Sequence, residues 1–167
     1  GGAVPDIKLL VREGDTVVFQ VLKDPLGSKG ARVTTQLSIA SRYLVLLPGS
    51  SRVGISHRIT QPSERERLTQ QVIELSTQLD VKAGFIVRTV ADGASVESLK
   101  SDLLFLVRSW EVIRERLNSN DVGLLHEDLP LTLRTARDLV TEETTRIRVD
   151  DQATGEALRF LVRDFLP

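Results

Sequence analysis

The chain has 167 residues, of which 22 are basic and 23 acidic, so its net charge is −1, and it contains no cysteine. A chain of this length buries about 70% of its unfolded surface, which is enough for one substantial core or two small ones. The lack of cysteine excludes disulfides and thiolate metal sites, and the balanced charge means that contacts with an anionic partner must come from local clusters of cations. No apolar stretch is long enough to span a membrane, and the first residues lack the order of a signal peptide, so we expect a soluble, cytoplasmic protein.

The first predicted element is a β-hairpin. Residues 15–22 are rich in β-branched and apolar side chains, and residues 31–39 alternate well enough to pair with them. Proline and glycine in the connection supply the turn. We expect Phe19 to point inward from the first strand. Residues 43–47 predict a third strand, whose five consecutive bulky residues suggest burial on both faces.

A helix, a strand and a longer helix follow. The first helix begins at Pro62-Ser63, where Ser63 is expected to cap the amides and Glu66 to complete a capping box. Four apolar residues then fall on one face of this helix: Leu68, Val72, Leu75 and Leu79. Residues 84–89 predict a buried strand, and a second helix starts near Ser95.

The second helix carries a narrow apolar seam with alternating steps of four and three residues. The seam consists of Leu99, Leu103, Leu106, Trp110, Ile113 and Leu117. We expect it to pack against another part of the same chain. The alternative is a structural or oligomerising role, in which the seam forms a coiled coil with another copy.

A polar break at residues 118–121 is the best candidate for a domain boundary. After it we predict a strand at residues 122–126, a helix at 130–140, a strand at 146–149 and a helix at 154–166. This alternation of strand and helix is typical of an α/β layer.

Four segments occur in an order that resembles the ribonuclease E/G family, with ribonuclease G as the closer branch. They are residues 23–35, 42–49, 54–59 (Gly-Ile-Ser-His-Arg-Ile) and 84–89 (Gly-Phe-Ile-Val-Arg-Thr). The resemblance runs from about residue 6 to residue 167. It implies an endoribonuclease of RNA processing and decay, whose catalytic magnesium-binding DNase I-like domain lies beyond this stretch. We therefore expect a portion of a larger enzyme, inactive by itself and without catalytic residues.

The resemblance also implies a mixed α+β and α/β fold in three parts. Residues 1–40 would be the C-terminal part of an OB-type RNA-binding barrel, residues 41–121 a 5′-sensor subdomain, and residues 122–167 part of an RNase H-like subdomain. In the family, the sensor recognises a monophosphate at the start of an RNA. The implied partners are single-stranded RNA with a 5′-monophosphate and, in the complete enzyme, further copies of the chain.

The candidate phosphate clamp is Arg88-Thr89, at the end of the strand predicted at residues 84–89. A guanidinium offers a planar fork for two phosphate oxygens, and a hydroxyl can donate to a third. The alternative is an ordinary solvated strand end. The resemblance matches this pair to the family's phosphate-binding residues. It also matches Val45, through its backbone amide, and Ser41, near the terminal nucleotide where the family can have glycine.

Four cationic or titratable residues are further candidates for RNA binding. Lys23 and Lys29 match positions at which the family's barrel presents cations to the RNA backbone, and the alternative is a solvated hairpin turn. His57 and Arg58 lie where ribonuclease E carries two adjacent arginines, although His57 could equally be a polar surface residue. We expect His126 to be a hydrogen-bonded structural histidine rather than a metal ligand.

Adjacent carboxylates occur at residues 127–128, 142–143 and 150–151. Converging carboxylates are what two-metal nuclease chemistry requires, so metal-dependent cleavage by this part of the chain is an alternative function. Neighbouring residues of a strand point to opposite faces, however, and do not hold one ion between them. We therefore expect no metal and no cofactor here, with magnesium belonging to the complete enzyme.

Overall fold

The structure is a computed structural model that describes residues 6–119, 122–141 and 143–165. Contacts between residues divide the chain into two units, one ending at Leu37 and one beginning at Ser38, and we describe each by itself. Helices and two small sheets together make a mixed α+β fold, as predicted, and no closed barrel forms among the described residues.

The first unit contains the predicted hairpin. Strand β1 (Gln20–Lys23) pairs antiparallel with β2 (Arg32–Thr34), so the hairpin is confirmed, with strands shorter than expected. Phe19 precedes β1 and exposes 56% of its surface, so its predicted inward orientation is wrong. A two-stranded ribbon has no second layer of its own to cover such a side chain.

The second unit is built on a four-stranded sheet in the order β3-β4-β6-β5. Its strands are β3 (Ile39–Ala40), β4 (Leu44–Leu47), β5 (Val53–Ile55) and β6 (Gly84–Val87). Strand β4 pairs antiparallel with β3 and β6, whereas β5 and β6 are parallel. The predicted strands at β4 and β6 are confirmed, β6 being two residues shorter than predicted, and β5 was not predicted.

Helix α1 (Pro62–Gln78) carries the chain from β5 to β6, the kind of crossover that parallel strands require. Gln61 precedes the helix without a side-chain capping bond, so the predicted Ser63 cap and capping box are wrong. Proline suits the first helical position because its fixed φ is already helical and its missing N–H is not needed there. This start places Ser63 inside the helix.

Helix α2 (Val96–Leu117) packs its apolar seam against the sheet and α1. Ser95 caps it by accepting a hydrogen bond from the Ser98 amide at 3.1 Å. The seam belongs to one core, so the predicted packing within the chain is confirmed. The fully buried residues of that core include Leu44, Leu46, Leu68, Val72, Phe85, Val87, Leu99, Leu103 and Leu106.

Helices α3 (Leu131–Leu139) and α4 (Gln152–Phe165) pack on each other around a small core of Ala136, Val140, Leu158 and Leu161. Both were predicted. The strands predicted at residues 122–126 and 146–149 are wrong, because the structure has no strand there. A strand needs a hydrogen-bonding neighbour, and none of the described strands offers one to these segments.

Several predictions fall partly outside the described residues, among them the boundary at 118–121, the carboxylate pair at 142–143 and the end of the last helix at residue 166. Within the described chain, the longest helices are too short or too polar to cross a bilayer.

The close approach of Gly84 to a neighbouring loop gives a test of the sheet. A Cβ on Gly84 would lie 2.6 Å from the Arg52 carbonyl oxygen, whereas one on Gly54 would have its nearest neighbour at 3.9 Å. We expect Gly84→Ala to lower the free energy of unfolding by about 1–3 kcal/mol in urea denaturation, because backbone must move. Gly54→Ala, the matched control, should stay close to the parent. Equal stabilities for the two variants would contradict this packing.

Candidate functional site

Three segments meet at one edge of the sheet. Because β5 and β6 are parallel, residues 56–58 and 88–89 emerge at the same end, and Ile55 lies opposite Val87. Strand β4 runs the other way, so the turn at residues 41–43 arrives at this end as well. We call these three segments the site edge. Loops at the carboxyl ends of parallel strands are a common place for ligand binding in α/β proteins.

Arg88 lies at the centre of the site edge. Its backbone amide continues the ladder by donating to the Tyr43 carbonyl at 2.8 Å. Its Nη1 and Nη2 atoms bind the two carboxylate oxygens of Asp138 at 2.9 and 3.1 Å, and Nη1 also donates to the Ser41 carbonyl. The Arg88 side chain remains 28% exposed.

Thr89 is exposed and its hydroxyl lies 2.9 Å from the Ser56 hydroxyl. Ser56 joins the loop after β5 to the end of β6, because its amide donates to the Val87 carbonyl at 2.9 Å. The same hydroxyl accepts a bond from the Arg58 amide at 3.3 Å. The structure thus brings Arg88, Thr89, His57 and Arg58 to one edge, with both members of the His-Arg pair exposed.

Ser41 and Val45 border the site edge in a different way. The Ser41 side chain is buried and its hydroxyl donates to Asp102, so this residue serves Arg88 through its carbonyl. Val45 lies on a strand with a neighbour on each side, opposite Ile86 on β6. In an antiparallel pair, every second residue of a strand directs its amide to the same neighbour. Because Tyr43 bonds to Arg88 on the β6 side, the Val45 amide also points toward β6 rather than to solvent.

The turn at residues 41–43 depends on a buried carboxylate that sequence reasoning missed. Asp102, on α2, accepts hydrogen bonds from the Ser41 hydroxyl and from the amides of Arg42, Tyr43 and Leu44 at 3.2, 3.0 and 2.8 Å. Burial raises the pKa of Asp102, and these hydrogen bonds oppose that effect. The sequence did contain a signal, because Asp102 lies on the apolar face of α2. An aspartate is rarely buried without partners, so its place there indicates that it binds something.

A second acidic residue, Asp138, was also missed. Arg137 donates to its carboxylate from Nε and Nη2 at 3.1 and 3.4 Å, and from Nη1 to the Ala40 carbonyl at 3.1 Å. Burial by itself would raise the pKa of Asp138, but the hydrogen bonds and charges of Arg88 and Arg137 outweigh burial, so the pKa lies below its usual value. Nothing in the local sequence of α3 indicates these contacts.

Lys23 and Lys29 belong to the first unit. Both are exposed, Lys23 at the end of β1 and Lys29 in the hairpin turn. The amides and carbonyls of Leu26 and Lys29 bond to each other at 3.1 Å, and Gly27 allows the turn with a φ of +59°. The turn therefore presents Lys29 to solvent.

Two of the carboxylates considered for metal chemistry have partners within the protein. Asp151 caps α4 by accepting a bond from the Thr154 amide at 2.7 Å, and Asp128 pairs with Arg134 at 3.5 Å. Within residues 6–119, 122–141 and 143–165, no three His, Asp or Glu side chains converge as metal ligands. His126 is exposed, and the strand expected before it is absent.

Asp102 can be tested by an isosteric change. In Asp102→Asn, the amide nitrogen would face a backbone N–H, and we expect a loss of about 2–3 kcal/mol in the free energy of unfolding. Glu111→Gln removes the same charge from an exposed position within the same helix and should leave stability almost unchanged. Urea denaturation of both variants measures this difference. Equal stabilities would show that Asp102 does not hold the turn.

Comparison with known proteins identifies the family. The profile of the Ribonuclease E/G family matches residues 38–167. Ribonuclease G of Escherichia coli (strain K12) is 45% identical over 98% of this chain and 33% of its own length, and that of Haemophilus influenzae is 38% identical over the same shares. Ribonuclease E of Escherichia coli (strain K12) is 35% identical over 93% of this chain and 14% of its own. The chain thus spans about a third of the ribonuclease G relatives, and it belongs to the ribonuclease E/G family.

Proposed function

We propose that this chain is the RNA-binding portion of a single-strand endoribonuclease of RNA processing and decay, and that its site edge senses a 5′-terminal monophosphate. The observation that carries the proposal is the placement of Arg88 and Thr89 side by side where β6 ends, with the Arg88 side chain 28% exposed. Family membership supports RNA as the partner.

The chemistry of these two side chains suits a terminal phosphate. A phosphate monoester is close to a dianion at neutral pH and offers three oxygens, of which a guanidinium can bind two. When the Ser56 hydroxyl donates to Thr89, the Thr89 hydroxyl keeps its hydrogen for the third oxygen. A 5′-hydroxyl has neither the charge nor these acceptors. Arg88 and Thr89 therefore discriminate between a 5′-monophosphate and a 5′-hydroxyl.

Other residues take supporting parts in the proposal. His57 and Arg58 share the edge with Thr89 and can contact the phosphate of a following nucleotide. Ser41 and Val45 border the terminal nucleotide, and Ser41 acts through the carbonyl that holds Arg88. In the first unit, Lys23 and Lys29 contact RNA backbone, as exposed lysines do, with a salt-dependent contribution.

We also propose that magnesium-dependent cleavage is carried by parts of the protein other than these 167 residues, and that the complete protein is a cytoplasmic homo-oligomer. Two observations support the first point. The ribonuclease G relatives extend well past the matched third of their length. The carboxylates of Asp128 and Asp151 are engaged in an ion pair and a helix cap.

The phosphate preference can be measured on two RNAs that differ only at the 5′ end. We expect the chain to bind a 5′-monophosphorylated single strand more tightly than its 5′-hydroxyl counterpart, in fluorescence anisotropy at low salt. Arg88→Ala should lower the affinity for the phosphorylated RNA by about tenfold or more, because charge-assisted hydrogen bonds contribute about 1.5–3 kcal/mol each. Affinity for the hydroxyl RNA should change little.

The matched control is Arg114→Ala, which removes the same charge from an exposed position near the end of α2. It should weaken the binding of both RNAs equally and leave the preference for the phosphorylated RNA intact. Equal binding of the two RNAs by the parent chain, or a preference that survives in Arg88→Ala, would refute the proposed sensor.

A further inference from the structure

The hydrogen-bond donors of Arg88 are only partly used within the protein. A guanidinium has five N–H groups: one on Nε and two on each Nη atom. Asp138 takes one from Nη1 and one from Nη2, and the Ser41 carbonyl takes the second from Nη1. Two donors have no partner in the described part of the chain, the N–H of Nε and the second N–H of Nη2.

These two remaining donors lie in the guanidinium plane, along its Nε/Nη2 edge, and point in parallel. Together they form the side-on fork that matches two oxygens of a phosphate. Asp138 binds the end-on pair, which consists of one N–H of Nη1 and one N–H of Nη2. The carboxylate and a phosphate can therefore bind Arg88 at the same time. The Arg88 side chain is 28% exposed, so it is not closed off from solvent.

We propose that Asp138 is a positioning residue for RNA 5′-end recognition: it fixes the Arg88 guanidinium so that the Nε/Nη2 fork faces the terminal phosphate, without binding RNA itself. The inference rests on the proposed sensor function and adds a specificity residue to it. Without the carboxylate, Arg88 must order its own side chain when RNA binds, which weakens recognition of the phosphate.

Asp138 is suited to this part because it is itself held in place. Arg137 binds both of its carboxylate oxygens and is nearly buried. The third donor group of Arg137 bonds the Ala40 carbonyl, which ties α3 to the sheet next to the site edge. The low pKa of Asp138 keeps its carboxylate ionised at neutral pH.

The charges around Asp138 leave the site attractive to an anion. Two guanidiniums, from Arg88 and Arg137, face one carboxylate, so the cluster is positive by one unit. The opposite interpretation is that Asp138 is a substitute anion, which a phosphate must displace. The two interpretations predict opposite signs: removing the carboxylate weakens recognition if it positions Arg88, and strengthens recognition if it competes with the phosphate.

The test compares Asp138→Asn, Asp138→Glu and Asp128→Asn in binding to one RNA with a 5′-monophosphate or a 5′-hydroxyl. The readout is the ratio of the two affinities, which cancels any general change in RNA binding caused by net charge. We expect Asp138→Asn to lower this ratio by about threefold to tenfold and Asp138→Glu to restore part of it. Asp128→Asn loses the same charge from an exposed ion pair and should keep the parent ratio.

A second measurement separates positioning from a loss of folding. In ¹⁵N-edited NMR spectra, the Arg88 Nε–H signal should be sharp in the parent and exchange-broadened in Asp138→Asn, with the backbone amide spectrum otherwise preserved. A ratio in Asp138→Asn that equals or exceeds the parent value, with an unchanged Arg88 signal, overturns the inference while leaving the sensor in place. A parent chain without any preference refutes the sensor and the inference together.

Discussion

The site edge depends on one buried interaction, the contact of the Asp102 carboxylate with the turn between β3 and β4. Three consecutive backbone amides and the Ser41 hydroxyl donate to this side chain. Bringing a carboxylate into the core is costly unless its oxygens are paired, and these donors supply the pairing. The same contact fixes the Ser41 carbonyl, which in turn receives Arg88. The geometry of the phosphate site therefore begins on the apolar face of α2.

A second constraint is the parallel pairing of β5 and β6. Because α1 connects these strands as a crossover, their ends and the loops that follow must lie at the same edge. This arrangement brings Ser56 beside Thr89, and the Arg58 amide binds the same Ser56 hydroxyl. Asp138 reaches the same edge from α3, a helix outside the sheet layer. The site thus combines the paired strands of the sheet with one ion pair, which joins Arg88 after β6 to Asp138 on α3.

Much of the scaffold could be predicted from the sequence, because it follows from local patterns. The apolar period of α1 and α2, the glycine turn of the hairpin and the buried run that ends at Arg88 all produce the predicted elements. The predictions at residues 122–126 and 146–149 were wrong because an apolar pattern shows only that a segment can form a strand. Whether it does so depends on a neighbouring strand, which no local pattern records.

The sequence indicated the side chains of the candidate site but not the residues that hold them in place. Arg88, Thr89, His57 and Arg58 were identified from the resemblance, and the structure brings them to one edge. Asp102 and Asp138 were missed because their partners Ser41 and Arg88 lie 61 and 50 residues away along the chain. Such contacts arise only from the packing of helices on the sheet. The Ser63 cap failed for a local reason, since the proline before it already begins the helix.

The most direct test of a terminal-phosphate site is ³¹P NMR of a short 5′-monophosphorylated RNA titrated with this chain. The terminal phosphate has its own resonance, distinct from those of the internal diesters, so the measurement shows which phosphate is bound. We expect the terminal resonance to shift on binding while the internal resonances move much less. Internal resonances that shift as much as the terminal one, or a terminal resonance that does not move, would contradict a terminal-phosphate site.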